Sequence, residues 1–202
     1  MTPAQPVHVR ENLGVLARVE KRVLIWIAER LPDAVNSDHL SALGLAAIGA
    51  AGLAFASFSL TKWSAIAVVL ALAVNWFGDS LDGTVARVRN QQRPRYGFYV
   101  DHVIDIAGTT LLLAGMACSG LMSPLLASGV LAGYLLVSAE TYLATHAAGR
   151  FRMSFAGVGP TELRIVLAIG ALRAAVSPWV SVAGSDPIRL FDVGAMVAIP
   201  GL

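Results

Sequence analysis

The chain has 202 residues, of which 56% are hydrophobic and only 14% are charged, and its formal net charge is +2. With a mean hydropathy of +0.66, it has too few charges to cover a soluble globule of this size, so composition predicts an integral membrane protein. The single cysteine, Cys118, excludes an intrachain disulfide. Nucleic-acid binding is disfavoured, because basic residues alternate with apolar segments and the sequence shows no set of base-stacking aromatic residues.

Residues 1–35 are predicted to form an interfacial segment that contains an amphipathic helix. Apolar residues recur there at helical spacing, and basic residues occupy many of the remaining positions. This pattern is typical of a helix on the membrane surface, with Trp26 near the headgroups and Pro32 at its end. A helix that packs against the protein is the alternative. The residues at helical spacing are Leu13, Leu16, Glu20, Val23, Leu24, Ile27 and Leu31.

Residues 36–202 are predicted to form an all-α transmembrane domain of about six helices. A helix needs about 20 apolar residues to cross the hydrocarbon layer, and hydropathy places six such segments along the chain. The last segment is short and contains Pro200, so its boundary is the least well defined. The predicted spans are residues 39–60, 63–88, 98–119, 123–147, 160–180 and 188–202.

The basic residues predict the orientation of this bundle. Twelve of them fall on one predicted side of the membrane and three on the other, and the richer side is expected to be cytoplasmic. This places the N-terminus and the loop after span two in the cytoplasm. The twelve are Arg10, Arg18, Lys21, Arg22, Arg30, Arg87, Arg89, Arg93, Arg95, Arg150, Arg152 and Arg164, and the three are Lys62, Arg173 and Arg189.

Four aspartates stand out, because they are the only acidic residues between His39 and Ala139 and all lie in apolar surroundings. Asp79 and Asp82 are three residues apart on one predicted helix, and Asp101 and Asp105 are four apart on the next. Each pair therefore shares a helix face, and the two pairs could meet and supply the oxygen ligands that Mg²⁺ prefers. Unrelated structural roles are disfavoured, since a carboxylate inside the bilayer costs a few kcal/mol unless it faces a partner or a polar cavity.

Eight residues between positions 79 and 105 form a longer pattern. Asp79-x2-Asp82-Gly83-x2-Ala86-Arg87 is followed by Gly97-x3-Asp101-x3-Asp105. This string resembles the signature of the CDP-alcohol phosphotransferases, also called CDP-alcohol phosphatidyltransferases. Nine residues separate the two halves, where the family more often has eight, and the polar loop between them should absorb the insertion.

The resemblance implies a membrane transferase of phospholipid biosynthesis. Such enzymes move a phosphatidyl or other substituted phosphate group from a CDP-linked donor to an alcohol acceptor and release CMP. It also implies two Mg²⁺ or Mn²⁺ ions held by the four aspartates, with Asp105 as the general base. A donor-binding role is implied for Gly83, Ala86, Arg87 and Gly97.

Three further residues are weaker candidates. His102 follows a signature aspartate, as in the choline and ethanolamine phosphotransferase branch, and simple packing at the helix end is the alternative. Glu140 is expected to make a polar contact toward the cavity, because an unpaired acid in the bilayer is costly. Arg164 follows Gly159 and Pro160 at a predicted helix start, where a basic residue contacts an acceptor phosphate in several relatives. A structural cap is the alternative for Arg164.

Two other functional classes were weighed against the transferase. A transporter would also place carboxylates in the membrane, but the sequence shows no inverted repeat and no paired broken helices. An inactive membrane subunit would be expected to lose a signature aspartate, and all four are present. The resemblance also implies a homodimer surrounded by membrane lipids. The donor, CDP-diacylglycerol or a soluble CDP-alcohol, and the acceptor alcohol stay open.

Overall fold

The structure is a computed structural model that describes residues 17–61, 63–148, 159–181 and 186–199. Seven helices form within these residues, which confirms the all-α prediction. Two short strands, β1 (Trp179–Val180) and β2 (Ile188–Arg189), pair antiparallel and were not predicted. The helices are α1 (Ala17–Ala28), α2 (Ser37–Ala56), α3 (Ser64–Val88), α4 (Pro94–Cys118), α5 (Pro124–Ala148), α6 (Pro160–Val176) and α7 (Leu190–Ala198).

Four of the described helices, α2 to α5, are long and apolar enough to cross a membrane. They coincide with the first four predicted spans. The fifth span was predicted to reach residue 180, but α6 has 17 residues and ends at Val176, because Ser177 is held extended by the proline that follows it. The sixth was predicted to start at residue 188, where β2 lies instead, and α7 has nine residues. Pro200 lies outside the described residues.

The N-terminal helix α1 is amphipathic, as predicted, and it packs against the bundle. Leu24 and Ala28 are buried in a cluster that also contains Leu40 of α2 and Leu81 and Val85 of α3. The opposite face is open: Trp26 is 57% exposed, and the guanidinium of Arg30 lies 4.3 Å from the centre of its ring. The packing alternative therefore holds for one face of α1. The open face is the one predicted to lie at the membrane surface. Leu13 and Leu16 lie outside the described residues, and α1 ends four residues before Pro32.

Helix α2 lies at the centre of the fold and crosses α3 and α4 at glycines. A Cβ added at Gly78 of α3 would lie 2.6 Å from the carbonyl oxygen of Leu40 and 2.7 Å from the nitrogen of Gly44. A Cβ at Gly115 of α4 would lie 2.0 Å from the carbonyl oxygen of Gly52. Backbone therefore meets backbone at both crossings, which is the close approach that small residues permit between membrane helices.

A second apolar cluster fills the other half of the bundle, away from α1. Phe55 is fully buried there and meets the ring of Phe191 edge to face, with 5.5 Å between the ring centres. Val68, Met116 and Ala171 pack in the same cluster, so α2, α3, α4, α6 and α7 share it. The polar half of α3, which carries Asp79 and Asp82, lies outside this cluster and against the start of α2.

Gly78→Ala is expected to destabilise the protein, because the added methyl group must push α2 and α3 apart. Overpacking of this kind costs about 1–3 kcal/mol. The measurement is the midpoint of thermal unfolding in detergent, with Gly194→Ala as the matched control, because a Cβ at Gly194 meets nothing within 4 Å. Equal stability of the two variants would contradict the close crossing.

Candidate active site

A cleft of about 210 Å³ opens between the start of α2, the last turns of α3 and the start of α4. The connection between α3 and α4 closes one side, where Asn90 adopts a left-handed conformation (φ 54°) that asparagine tolerates better than most residues. The lining residues are Ser37, Asp38, Ser41, Asp82, Gly83, Ala86, Arg87, Gln91, Gln92, Arg93, Pro94, Tyr96, Gly97, Phe98, Val100 and Asp101.

Six of the eight signature residues line this cleft. The structure therefore brings the two halves of the sequence pattern to one place, as their spacing on adjacent helices predicts. Asp79 and Asp105 are not among the described lining residues; each lies one helical turn further from the α3–α4 loop. The six are Asp82, Gly83, Ala86, Arg87, Gly97 and Asp101.

Asp82 is the buried carboxylate of the cleft, with 9% of its surface exposed. Ser41 of α2 donates its hydroxyl to Oδ2 at 2.6 Å, and the backbone nitrogen of Gly83 lies 2.5 Å from Oδ1. The charges of Asp101 and Asp79 both act on this carboxylate. Asp82 is therefore held by two hydrogen bonds, with two further carboxylates nearby.

Asp79 forms an ion pair with Arg164 of α6. The Nη2 atom of Arg164 lies 2.5 Å from Oδ2 of Asp79, and its Nε atom donates to Oδ1 of Asn75 at 2.7 Å. Asn75 is buried and donates its own amide to the carbonyl oxygen of Gly44 at 2.9 Å. Arg164, predicted to contact an acceptor phosphate or to form a helix cap, contacts a signature aspartate and the residue one turn before it in this structure.

The second aspartate pair is divided between the cleft and the interface of α4 with α5. Asp101 is exposed and lines the cleft, whereas Asp105 is half-buried one turn further along α4. The charge of Asp105 acts on Tyr134 and Tyr142 of α5. The side chains of Thr109 and Ser138 lie near the hydroxyl of Tyr134. Asp105 therefore lies near hydroxyl groups of α5.

Arg87 lies along the surface of α3 beside Gly83. Its Nη2 donates to the hydroxyl of Thr84 at 3.1 Å, and a Cβ at Gly83 would lie 3.3 Å from its Nη1. A Cβ at Gly97 would meet nothing within 4 Å. The missing side chain at Gly83 therefore makes room for the guanidinium of Arg87, while Gly97 leaves open space at the first turn of α4.

The weaker candidates lie away from the cleft. His102 stands between two aromatic rings, with its ring centre 4.1 Å from that of Phe98 and 4.7 Å from that of Tyr142. Ring contacts of this kind are what the packing alternative for His102 predicts. Glu140 is exposed on α5, and no hydrogen bond or ion pair links it to another residue of the described chain.

The rim of the cleft contains an ion pair that sequence reasoning missed. Arg93 pairs with Asp38, in the first turn of α2, and lies over the ring of Tyr96 at 4.2 Å from its centre. Arg89 fixes the same wall, because its guanidinium donates to the carbonyl oxygens of Val35 at 2.6 Å and Leu31 at 2.8 Å. The sequence contains one signal for this wall, the polar residues Asn36, Ser37 and Asp38 just before predicted span one.

Glu20 of α1 is the second group that sequence reasoning missed. Its Oε1 atom accepts hydrogen bonds from Nε1 of Trp76 at 2.8 Å and from the hydroxyl of Thr161 at 2.8 Å, with Ser80 at 3.4 Å. One carboxylate thus joins α1, α3 and α6. The signal was its place among the apolar residues of the amphipathic pattern, where a charged residue needs a partner.

The chemistry of the site fits a hard divalent cation. Its electron-pair donors are carboxylate oxygens, and two of these residues, Asp82 and Asp101, line one cleft. Asp79 already binds one cation, the guanidinium of Arg164. Across the described ranges, no three Asp, Glu, His or Cys side chains converge closely enough to hold a metal ion together. The structure therefore does not bring all four aspartates together, and Asp79 is engaged by Arg164.

Comparison with known proteins agrees with the geometry. The family model for CDP-alcohol phosphatidyltransferases matches residues 38–189, which include every lining residue of the cleft except Ser37, and helices α3 to α6 with all but the first residue of α2. The chain belongs to this family. The long apolar helices and the family together make it an integral membrane protein.

A protein to which the chain is similar is the archaetidylinositol phosphate synthase of Methanothermobacter thermautotrophicus. The two sequences are 31% identical over 128 residues, which is 61% of this chain and 62% of the relative. The matched part therefore spans about three fifths of the relative's own length.

Proposed function

We propose that this protein transfers a phosphatidyl or other substituted phosphate group from a CDP-linked donor to an alcohol hydroxyl and releases CMP. The observation that carries the proposal is that six signature residues line the same cleft. A lipid-linked donor suits helices that lie in the bilayer beside the cleft. The relative is named for making a phosphorylated inositol lipid, so a phosphorylated polyol is the first acceptor to test.

In the proposed mechanism, residues of the cleft bind the CDP group. The guanidinium of Arg87 hydrogen-bonds phosphate oxygens, and the small residues Gly83, Ala86 and Gly97 leave room for the nucleotide. Asp82 and Asp101 would hold Mg²⁺ or Mn²⁺, with Asp79 and Asp105 completing the set for two ions. A bound cation would neutralise the pyrophosphate and the charge that develops on the transferred phosphorus.

Asp105 is proposed as the general base that accepts the proton of the acceptor hydroxyl. Its place one turn beyond the cleft, beside the hydroxyl groups of Tyr134 and Tyr142, is consistent with a site for a polar acceptor between α4 and α5. We further propose that the cleft opens to the cytoplasm, because most basic residues fall on that predicted side. We likewise propose that residues 1–35 are the interfacial segment and residues 36–202 the membrane domain. We also propose that two chains form a homodimer.

Purified protein is expected to release CMP when supplied with Mg²⁺ or Mn²⁺, the correct CDP-linked donor and an alcohol acceptor. The assay compares CDP-diacylglycerol with soluble CDP-alcohols, each with polyols, polyol phosphates and amino alcohols. Excess chelator should abolish release. Asp33→Asn serves as the control for the aspartate variants described next: Asp33 is a fully exposed aspartate outside the signature, 4.0 Å from Arg89, and its replacement should leave turnover unchanged. Full CMP release in chelator would refute metal dependence.

Asp105→Asn and Asp79→Asn are expected to differ. Loss of a positioned base lowers turnover by ~10²-fold or more, so Asp105→Asn should lose turnover yet keep much of its donor affinity. Asp79→Asn should lose both, since donor binding depends on cation binding at the carboxylates. The measurements are CMP release and donor affinity by calorimetry. Equal loss of donor affinity in the two variants would make Asp105 primarily a metal ligand.

Ala86→Leu is expected to block donor binding without unfolding the protein. Ala86 is half-buried in the wall of the cleft, and a leucine side chain there would occupy space that the nucleotide needs. The matched control is Ala73→Leu, which makes the same change at an exposed position of α3. Calorimetric titration with a CDP-linked donor should show affinity lost only in Ala86→Leu. Unchanged affinity in a folded Ala86→Leu variant would place the nucleotide elsewhere.

A further inference from the structure

Three side chains form a connected group just beyond the cleft. Asn75 and Asp79 are one turn apart on α3, and both contact the guanidinium of Arg164 from α6. Arg164 uses its Nε on the amide oxygen of Asn75 and its Nη2 on the carboxylate of Asp79. The guanidinium therefore has two anchors, one neutral and one charged.

The neutral anchor is rigid. Asn75 is 6% exposed, and its amide nitrogen is held by the carbonyl oxygen of Gly44 at the α2–α3 crossing. This hydrogen bond fixes the direction in which the amide oxygen points, which is toward Nε of Arg164. If the bond to Asp79 broke, Asn75 would still hold the guanidinium beside the site.

Other carboxylates lie near Asp79, the charged anchor. Asp79 and Asp82 are one turn apart on α3, and Asp101 lines the same cleft as Asp82, so three carboxylates lie near one another. The side chain of Arg164 is only 16% exposed, so water screens its charge weakly. A cation bound at Asp79 would meet this guanidinium across a single carboxylate, and two positive charges at that separation repel strongly.

We propose that Arg164 is a built-in competitor of the divalent cation for Asp79, and that Asn75 is the positioning residue that holds the guanidinium during the exchange. The inference rests on the proposed function, because it takes Asp79 as a metal ligand. Arg164 neutralises Asp79 before a cation arrives and lowers the affinity of the site for that cation. Only the contact between Arg164 and Asp79 is broken in the exchange, and the hydrogen bond from Nε of Arg164 to Asn75 remains.

The docking of α6 does not depend on this ion pair alone. Glu20 joins Trp76 of α3 to Thr161 of α6, three residues before Arg164, and Ala171 and Ala174 of α6 are buried in the bundle. A variant that lacks the guanidinium therefore keeps other contacts between the two helices. This makes Arg164→Gln a usable probe of cation binding.

The test measures binding of Mn²⁺ alone to the purified full-length chain in detergent, by the electron paramagnetic resonance signal of free Mn²⁺. Arg164→Gln is expected to bind Mn²⁺ roughly tenfold or more tightly than the unmodified protein, because a charge-assisted hydrogen bond no longer competes. The matched control is Arg30→Gln, which removes an arginine from an exposed ion pair just after α1, outside the residues that line the cleft, and should change affinity much less. An equal gain in both variants, or an unchanged or weaker affinity in Arg164→Gln, would overturn the proposal.

Asn75→Ala provides an independent arm. It should tighten Mn²⁺ binding when Arg164 is present and have no further effect in the Arg164→Gln background, because Asn75 acts through the guanidinium. Additive effects of the two changes would overturn its positioning role. If Arg164→Gln fails to fold, Arg164→Lys replaces it, since an ammonium group cannot make the same two-sided contact and an intermediate gain is expected. An unmodified protein that binds no Mn²⁺ yet releases CMP in chelator would refute the proposed metal site itself, a different result from equal affinities.

Discussion

The contact on which the rest of the structure depends is the meeting of backbones where α2 crosses α3 and α4. Gly78 meets α2 beside Gly44, and Gly115 meets the carbonyl oxygen of Gly52, without a side chain between them. The crossing at Gly78 lies one residue before Asp79 and brings Ser41 within reach of Asp82. The crossing at Gly115 holds α4 to the same helix. The cleft between α2, α3 and α4 is the space left beyond these two crossings.

Each carboxylate near this space is stabilised in a different way. Asp82 is buried and accepts a hydrogen bond from the hydroxyl of Ser41. Asp79 forms an ion pair with the guanidinium of Arg164, and Asp101 is exposed at the cleft. A buried charge without such partners is costly, so the protein separates its acids among hydrogen bonds, an ion pair and solvent. The same separation leaves Asp82 and Asp101 facing the cleft, where a donor and a cation are proposed to bind.

Helix α1 shows how an amphipathic segment can also be part of a membrane bundle. Its apolar face covers Leu81 and Val85 of α3, and Glu20 on that side connects α3 with α6. Trp26 and Arg30 remain on the open face, where a headgroup region would lie. The N-terminal helix thus borders the helices that carry Asp79 and Arg164, and its open face is the one predicted to lie at the membrane surface. A shift of α1 would act directly on the relative position of those two helices.

Local pattern in the sequence determined the membrane class, the all-α fold, the first four spans, the two aspartate pairs and the family signature, because periodicity and spacing act within one or two neighbouring helices. The end of α6 is also a local signal, since Pro178 keeps Ser177 extended, but the hydropathy pattern alone overlooked it, and that pattern did not determine that a small sheet follows. Tertiary structure alone decided that Ser41 holds Asp82, that Arg164 pairs with Asp79 and that Glu20 reaches Thr161. These contacts join residues 41, 85 and 141 positions apart, and such distances close only when the helices pack.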